Sequence, residues 1–422
     1  MSQFELLPAD ASQFDPSARP LRWSRTNGTT GSVTGNLDWT LARLGTPYSV
    51  AADLLRICAG AYLADRLTSR GLTFTRTIEL TVHVVEMEAW TEDAVEQVAD
   101  LLWWLTADDW TIRIVPAGPV ETATSPAQPP VSEVVLLSGG LDSLCGAVDR
   151  LNDGTSRLFL SHADGTTAVQ HAQRQIHGWL TEHAASPPEF LAVTFAQAGA
   201  KSESSSRSRS LLFTALATAT ATARGANRVV VPENGYTSIN PPLTTARGGA
   251  LSTRSTHPTT FVRINRLLAT LSTGVTVDNP YLGLTKGELV AQAAASVDAP
   301  RFTQAIATSL SCGKLDGTYY KGGNPNYSCG LCVPCVVRRA SVAAAGLDDR
   351  TPYLVNTLPA ASRARLISNR SDDVQAVQEA LLRGISEDEL LACGPWPDDF
   401  DLDAAIALCA RGLQEITRVP LP

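Results

Sequence analysis

Apolar residues alternate with polar ones over 78–84, the pattern of a strand with one buried face. A helix with Thr91 as its N-cap is predicted next, because an apolar stripe recurs at helical spacing over 95–105. A second strand is predicted over 112–115. Together these elements predict an α+β accessory unit over 1–115. Six of the eight tryptophans fall within it, which favours a hydrophobic core of its own.

Between 131 and 345 the pattern changes to short continuous apolar runs separated by helical segments. Such runs are typical of parallel strands that helices cover on both faces. They lie at 134–137, 158–160, 191–195 and 228–231. The alternation predicts an α/β fold with a doubly wound, mainly parallel sheet of five strands.

A proline-rich segment and a helical tail complete the predicted division of the chain. Residues 116–130 combine five prolines with Ala, Thr and Ser, the composition of a semi-rigid linker. Residues 346–422 predict helices, with Ser371 as one N-cap and with Ser386 and Glu389 as the capping box of another helix. We interpret this extension as a packing appendage.

Composition excludes several classes of protein. The 422-residue chain has a net charge of −8, whereas proteins that grip nucleic acid usually carry a basic excess, so nucleic acid is an unlikely partner. No apolar run is long enough for a membrane helix, and the N-terminal residues lack the pattern of a secretory signal. These features predict a cytoplasmic protein, in which the eight cysteines do not form a disulfide scaffold.

A glycine-rich loop follows the first strand of the middle unit. It reads Ser138, Gly139, Gly140, Leu141, Asp142, Ser143. Glycines let the backbone approach a phosphate, and the next helix presents free N–H groups to an anion. Asp142 repels phosphate but fits if it lies on a solvent-facing turn with Mg²⁺ between carboxylate and phosphate. The alternative is a plain turn in which Asp142 caps the helix.

Four of the cysteines crowd together with the spacing C-x16-C-x2-C-x2-C. They are Cys312, Cys329, Cys332 and Cys335. This pattern suits a tetrahedral zinc site, and Gly330 suits the tight turn of such a knuckle. An iron–sulfur cluster and unrelated thiols are the alternatives. The other four cysteines are single and have apolar neighbours, so we expect them in the core.

The two motifs together resemble those of a known enzyme family. The glycine loop resembles the SGGxDS pyrophosphate loop of the N-type ATP pyrophosphatases. Residues 329–338 resemble the CGxCxxCxxR signature of QueC, the 7-cyano-7-deazaguanine synthase family. The resemblance covers roughly 131–345 and implies the adenine nucleotide alpha hydrolase-like fold with a zinc knuckle. The added N-terminal unit and helical tail resemble the enlarged QueC-like proteins of bacterial anti-phage defence operons, such as QatC and the QueC-like member of type IV CBASS.

This resemblance implies an ATP- and Mg²⁺-dependent ligase that adenylates 7-carboxy-7-deazaguanine and passes the acyl group to an amine. With ammonia the final product is the nitrile; with a partner protein it is a nucleobase–protein conjugate. An α-amino group is less protonated at neutral pH than a lysine, so we predict a protein N-terminus as the acceptor. Two other hypotheses are a nucleotide-sensing module without catalysis and a tRNA-modifying enzyme. The acidic net charge disfavours the tRNA-modifying enzyme.

The resemblance also implies roles for single residues. The loop residues 138–143 would bind ATP together with His162 and Arg209. The catalytic residues would be Asp142, Ser143 and Lys286, and the substrate-binding residues Glu233, Asn234 and Gly235. The cysteine cluster would hold Zn²⁺. For Arg209, Glu233 and Lys286, a solvated or merely structural side chain is the alternative.

Overall fold

The computed structural model describes residues 2–25, 31–71, 74–117, 128–163, 165–203, 206–244 and 254–422. These ranges form ten strands and fifteen α-helices. The predicted linker at 116–130 falls mostly on residues outside the described ranges. No helix within those ranges has both the length and the apolar character that crossing a bilayer requires.

The N-terminal unit is built on a parallel sheet. Its elements are β1 (Ser2–Pro8), β2 (Arg19–Trp23), β3 (Val33–Gly35), α1 (Ser49–Leu67), β4 (Thr77–Val84), α2 (Glu92–Thr106) and β5 (Asp109–Pro116). Four strands pair in the order β2-β1-β4-β5, all parallel. The unit is therefore α/β rather than the expected α+β, because helix α2 serves as a crossover between β4 and β5. Thr91 caps α2 as predicted, since its hydroxyl accepts a hydrogen bond from the Ala94 amide at 3.3 Å.

A second, larger sheet carries the predicted strands of the middle unit. They are β6 (Glu133–Leu136), β7 (Arg157–Ala163), β8 (Glu189–Gln197), β9 (Arg228–Val230) and β10 (Thr276–Asp278). The order is β10-β9-β6-β7-β8-β3. The first five strands are parallel, as expected, whereas β3 comes from the N-terminal unit and pairs antiparallel with β8. This three-residue strand was not predicted because it carries no apolar run.

Helices cover both faces of the larger sheet. They are α3 (Leu141–Asp149), α4 (Thr167–His183), α5 (Arg209–Ala223), α6 (Gly235–Ser238), α7 (Pro258–Thr270), α8 (Lys286–Ala295), α9 (Ala299–Thr308) and α10 (Val333–Ala344). Successive residues of β6 enter opposite cores: Val134 belongs to the cluster that includes α1, α5 and α7, and Val135 to the one that includes α3, α8 and α9. This two-sided burial explains why β6 reads as a continuous apolar run.

The N-terminal unit and the larger sheet share one hydrophobic core rather than the separate cores expected from the tryptophan distribution. Trp23 of β2 lies edge-on to Phe195 of β8, with ring centroids 4.8 Å apart. Helices α1 and α5 pack against each other at this junction. Alternating Ala and Thr keep α5 slim, and its buried hydroxyls donate to carbonyls one turn earlier, as Thr218 does to Thr214 O at 3.0 Å.

The C-terminal residues are helical, as predicted. They form α11 (Leu354–Thr357), α12 (Ala360–Ser368), α13 (Ser371–Arg383), α14 (Glu387–Leu391) and α15 (Leu402–Ile416). The Ser386–Glu389 capping box of α14 is confirmed. Ser371, by contrast, is the first residue of α13 and not its N-cap, because its hydroxyl donates back to Ser368 O at 3.0 Å.

Candidate functional site

The glycine loop joins the end of β6 to the first turn of α3. Gly139 has φ +93°, a conformation that favours glycine, and a Cβ there would lie 3.1 Å from Gln173 Cγ. The Gly140 amide donates to the Ser138 hydroxyl at 3.3 Å, and that hydroxyl donates to Ser143 Oγ at 3.1 Å. Hydrogen bonds of the Ser138 and Ser143 hydroxyl groups therefore hold the loop in its conformation. The side chain of Leu141 is fully buried in the core.

A cavity of about 1620 Å³ opens over this loop. It lies beyond the carboxyl ends of β6, β7 and β9, where open α/β sheets bind their ligands. It brings several of the predicted residues onto one surface: Ser138, Gly140, Ser143, His162, Arg209 and Glu233. The cavity is larger than the 300–1,000 Å³ that is typical of small-molecule pockets.

Asp142 lies behind the cavity wall rather than on a solvent-facing turn, so that expectation is wrong. Its carboxylate is buried and forms an ion pair with the ammonium of Lys286, the first residue of α8. The other carboxylate oxygen accepts a hydrogen bond from Asn234 Nδ2 at 3.0 Å. Burial alone would raise the pKa of Asp142, but the Lys286 charge and these hydrogen bonds lower it below the usual range. Asp142 is therefore an anion that holds two helices together.

Glu233 is the neighbouring carboxyl group and faces the cavity. Burial and the negative charge of Asp142 raise its pKa well above the ordinary value of 4.5. Asn234 Nδ2 also reaches Glu233 Oε1 at 3.2 Å, while Asn234 Oδ1 caps α6 by accepting from the Thr237 amide at 2.9 Å. Glu233 can thus present a neutral carboxyl group to a ligand, since Asp142 already holds the negative charge.

Three other predicted residues have distinct surroundings. Gly235 packs against backbone, where a Cβ would lie 1.8 Å from Leu282 O, so close packing accounts for glycine here. His162 is buried, with Nε2 3.2 Å from the Phe195 carbonyl oxygen. Arg209 is exposed at the start of α5 on the cavity wall. Of the three, Arg209 is placed to meet an anion directly.

The cysteine cluster fits a single tetrahedral metal ion such as zinc. All four sulfurs lie within 4.8 Å of one another, with Cys312 and Cys332 3.9 Å apart and Cys329 and Cys335 3.8 Å apart. Four Zn–S bonds of about 2.3 Å in a tetrahedron place the sulfurs about 3.8 Å apart. Gly330 has φ +89°, as the predicted knuckle turn requires. Backbone amides also donate to the sulfurs, as expected around thiolate ligands.

Arg338 connects this knuckle to the glycine loop. Its buried guanidinium donates to Ser309 Oγ at 2.8 Å and to Ser311 Oγ at 3.3 Å. Ser311 Oγ in turn accepts from the Leu141 amide at 3.4 Å, within the loop itself. Arg338 therefore supports the glycine loop through Ser311, which links the guanidinium to the Leu141 amide.

Two residues that sequence reasoning missed hold the site from outside. Glu415 of α15 accepts hydrogen bonds from the Gly287 amide at 3.0 Å and from the Thr285 hydroxyl, at the start of α8. Asp65 of α1 accepts from the Arg207 amide at 3.0 Å, just before α5. Neither carboxylate is near the residues it contacts in sequence, so no local signal marks them. The C-terminal tail is more than a packing appendage, because Glu415 reaches the helix that carries Lys286.

Neither the known protein-family models nor the curated proteins include a match to this chain. Its chemistry is therefore inferred from the groups just described. These groups are the glycine loop on a large cavity and the buried cluster of Asp142, Asn234 and Lys286 behind it. They also include Glu233 on the cavity wall, whose pKa is raised, and the cluster of four cysteines that could hold a metal ion.

Purified protein is expected to contain about one zinc ion per chain, measured by elemental analysis. Cys332→Ser should remove it and lower stability strongly, since structural zinc contributes on the order of 10 kcal/mol to the folding of isolated knuckles. Cys58→Ala, which changes a buried cysteine outside the cluster, should keep the zinc. Iron in place of zinc, or a folded protein without metal, would contradict this prediction.

Glu233→Gln should stabilise the protein progressively above pH 4.5. A carboxyl group with a raised pKa in the folded state contributes most at low pH, and that contribution is lost as pH rises towards its folded pKa. The variant should therefore gain relative to wild type by at most about 1.4 kcal/mol per pH unit, in urea unfolding from pH 4.5 to 8.5. Exposed Glu182→Gln serves as the control. A difference that does not change with pH would count against the raised pKa.

Glu415→Ala should lower the free energy of unfolding by about 1.5–3 kcal/mol, because two hydrogen bonds to a carboxylate at a helix N-terminus are lost. Gln414→Ala, at the exposed neighbouring position of α15, should cost far less. Urea unfolding of the two variants measures the difference. Equal stabilities would show that the contact between α15 and α8 contributes nothing.

Proposed function

We propose that this chain is an ATP-dependent adenylating ligase of the N-type ATP pyrophosphatase class that acts on 7-carboxy-7-deazaguanine. The observation that carries the proposal is the glycine loop, which presents Ser138, Gly140 and Ser143 to a large cavity at the start of α3. Hydroxyls, a glycine backbone and a helix N-terminus together are suited to a polyphosphate. The QueC-like arrangement of loop and cysteine knuckle supports the choice of substrate.

The proposed reaction has two steps. A carboxylate oxygen of the acid attacks the α-phosphorus of ATP, and the bond from that phosphorus to pyrophosphate breaks. An amine then attacks the acyl carbon and AMP leaves with the bonding electrons. The loop hydroxyls would hold the β,γ-phosphates, with Arg209 as the nearby positive charge, and the buried His162 on the cavity wall would lie beside the adenine.

Residues behind the wall have positioning roles in this scheme. Lys286 and Asp142 fix the first turn of α3, so that Ser143 keeps its orientation towards the cavity.

Glu233, which faces the cavity and has a raised pKa, is suited to pair with the hydrogen-bonding edge of a guanine-like base. Asn234 orients both carboxyl groups, and Gly235 contributes through backbone packing.

Magnesium is proposed as the companion of ATP, where it would neutralise phosphate charge. The fit of Asp142 as its ligand is poor, because one carboxylate oxygen is paired with Lys286 and the other with Asn234. Among the described residues that line the cavity, Glu233 is the only one with a carboxyl group, and its raised pKa disfavours the charged form that Mg²⁺ would need.

The amine acceptor is proposed to be the N-terminus of a partner protein, as in nucleobase–protein conjugation in anti-phage defence. The cavity of about 1620 Å³ has room for ATP and the deazaguanine acid together, and Arg66, Phe74 and Leu105 of the N-terminal unit extend its wall, which supports an acceptor larger than ammonia. Ammonia is the alternative acceptor: it would displace AMP to give the amide, and a second ATP would adenylate the amide oxygen so that AMP leaves with that oxygen and 7-cyano-7-deazaguanine forms.

Gly140→Ala should strongly reduce ATP use without unfolding the protein. Gly140 has φ −81°, and a Cβ there would meet nothing closer than Ser138 Oγ at 3.4 Å, so the folded state tolerates the methyl group. That methyl group would occupy the wall where phosphate is proposed to lie, and we expect a loss of at least about tenfold in kcat/KM for ATP. The measurement is pyrophosphate release with 7-carboxy-7-deazaguanine present.

Gly178→Ala is the matched control, because its Cβ would lie in open space on α4, away from the loop. It should release pyrophosphate at the wild-type rate. Thermal melting should give the same midpoint for both variants within a few degrees. Normal activity of Gly140→Ala would show that the loop is only a structural turn.

A further inference from the structure

We infer that the cavity wall contributed by the N-terminal unit and the segment before α5 binds an acidic peptide, the stretch that follows the N-terminal residue of the acceptor protein. This inference rests on the proposed function and names its acceptor more closely. The basic wall, as we call it, consists of Arg66, Lys201 and Arg207, which all line the cavity.

The basic wall is fixed in place by the N-terminal unit. Asp65 accepts from the Arg207 amide at 3.0 Å and from the Ser208 hydroxyl at 2.8 Å. The Arg66 carbonyl oxygen accepts from the Ser202 amide at 3.0 Å, next to Lys201. The Arg207 guanidinium donates to the Thr106 carbonyl oxygen at 3.0 Å. Arg66 therefore lies on α1 itself, and Lys201 and Arg207 lie on a segment that is tied to α1 and to the end of α2.

Nearby acids are neutralised within the fold rather than at the cavity surface. Asp65 and Asp108 are both fully buried and share the guanidinium of Arg76, at 2.6 Å each. Asp108 also pairs with Arg70 at 2.8 Å. Glu203, in the same segment as Lys201, accepts a hydrogen bond from the Arg70 amide at 3.2 Å. The described residues that line the cavity include four cations, Arg66, Lys201, Arg207 and Arg209, and one acidic residue, Glu233, whose pKa is raised. Burial and the positive charge of Arg70 lower the pKa of Arg207, while the charges of Asp108 and Asp65 act in the opposite direction.

An apolar surface accompanies these charges. Phe74 is 58 % exposed and lines the same cavity, with the guanidinium of Arg207 4.9 Å from its ring centre. An acidic peptide offers both carboxylates for the cations and side chains that can pack on this ring. The phosphates of ATP have their proposed binding site elsewhere, at the glycine loop. Because the acceptor is proposed to be a protein N-terminus, the peptide stretch that follows it is the occupant that would lie along this patch, and RNA is tested as a competitor below.

The experiment measures binding of peptides to the full-length protein by fluorescence polarisation, with the dye at the C-terminus of the peptide. Two decapeptides begin with Gly; one carries Asp and Glu at positions 3–8, and the other carries Ser and Gln there. We expect the acidic peptide to bind at least about tenfold more tightly, with the difference shrinking as salt is added. Equal affinities would overturn the inference.

Variants locate the binding. Lys201→Glu and Arg207→Glu should each remove most of the preference for the acidic peptide, and Arg207→Gln should remove part of it without introducing repulsion. Arg174→Glu, an equal charge change on the exposed face of α4, should preserve the preference. Circular dichroism melting checks that each variant is folded. A preference unchanged in both reversal variants would also overturn the inference.

Two further arms separate this inference from the proposed function. A single-stranded RNA of equal charge that binds as tightly as the acidic peptide, or ATP that displaces the peptide competitively, would assign the basic wall to another ligand and overturn the inference. Exchange of labelled pyrophosphate into ATP, with the deazaguanine acid present and no peptide, tests adenylation alone. Peptide discrimination without exchange would refute the ligase but support the basic wall; exchange without discrimination would do the reverse.

Discussion

The ion pair between Asp142 and Lys286 is the contact on which the arrangement of this site depends. Two opposite charges that are both buried lose much solvation, and they stay favourable only if their remaining hydrogen-bonding capacity is met. Asn234 meets it on the Asp142 side. Because the three residues begin or precede α3, α8 and α6, this single cluster fixes three helix N-termini around the end of β6. Losing either charge would leave the other buried without a partner, which in other proteins costs about 3–5 kcal/mol.

The regions outside the central sheet reach this cluster by separate routes. Glu415 of the tail caps the helix that carries Lys286. Arg338 of the knuckle helix reaches the loop through Ser311. Asp65 of the N-terminal unit holds the segment before α5. Each contact is a charged group that satisfies backbone or hydroxyl groups at the edge of the cavity. The tail, the knuckle helix and the N-terminal unit therefore act as supports of one site rather than as independent modules.

Much of the fold was accessible from the sequence, because its signals are local. The strands of the larger sheet appear as continuous apolar runs, Thr91 and Ser386 mark helix starts, and the cysteine spacing identifies its own cluster. The features that could not be predicted, the burial of Asp142 and the shared core, depend on contacts between residues that are distant in sequence. The glycines next to Asp142 suggested an exposed turn, but Asp142 is buried against Lys286, which is 144 positions away in the sequence. The shared core likewise required knowing that Trp23 meets Phe195.

The short strand β3 also has a consequence for how this chain can be divided. It covers the outer edge of β8, where Val33 lies opposite Gln197 and Gly35 opposite Phe195. At Gly35 any side chain would collide with the Thr194 carbonyl oxygen, so the two backbones lie in direct contact. A fragment that begins after the proline-rich segment would leave this edge of β8 bare, and bare strand edges recruit other chains. The first hundred residues thus shield this sheet edge from other chains, and separating them from the rest of the polypeptide would expose it.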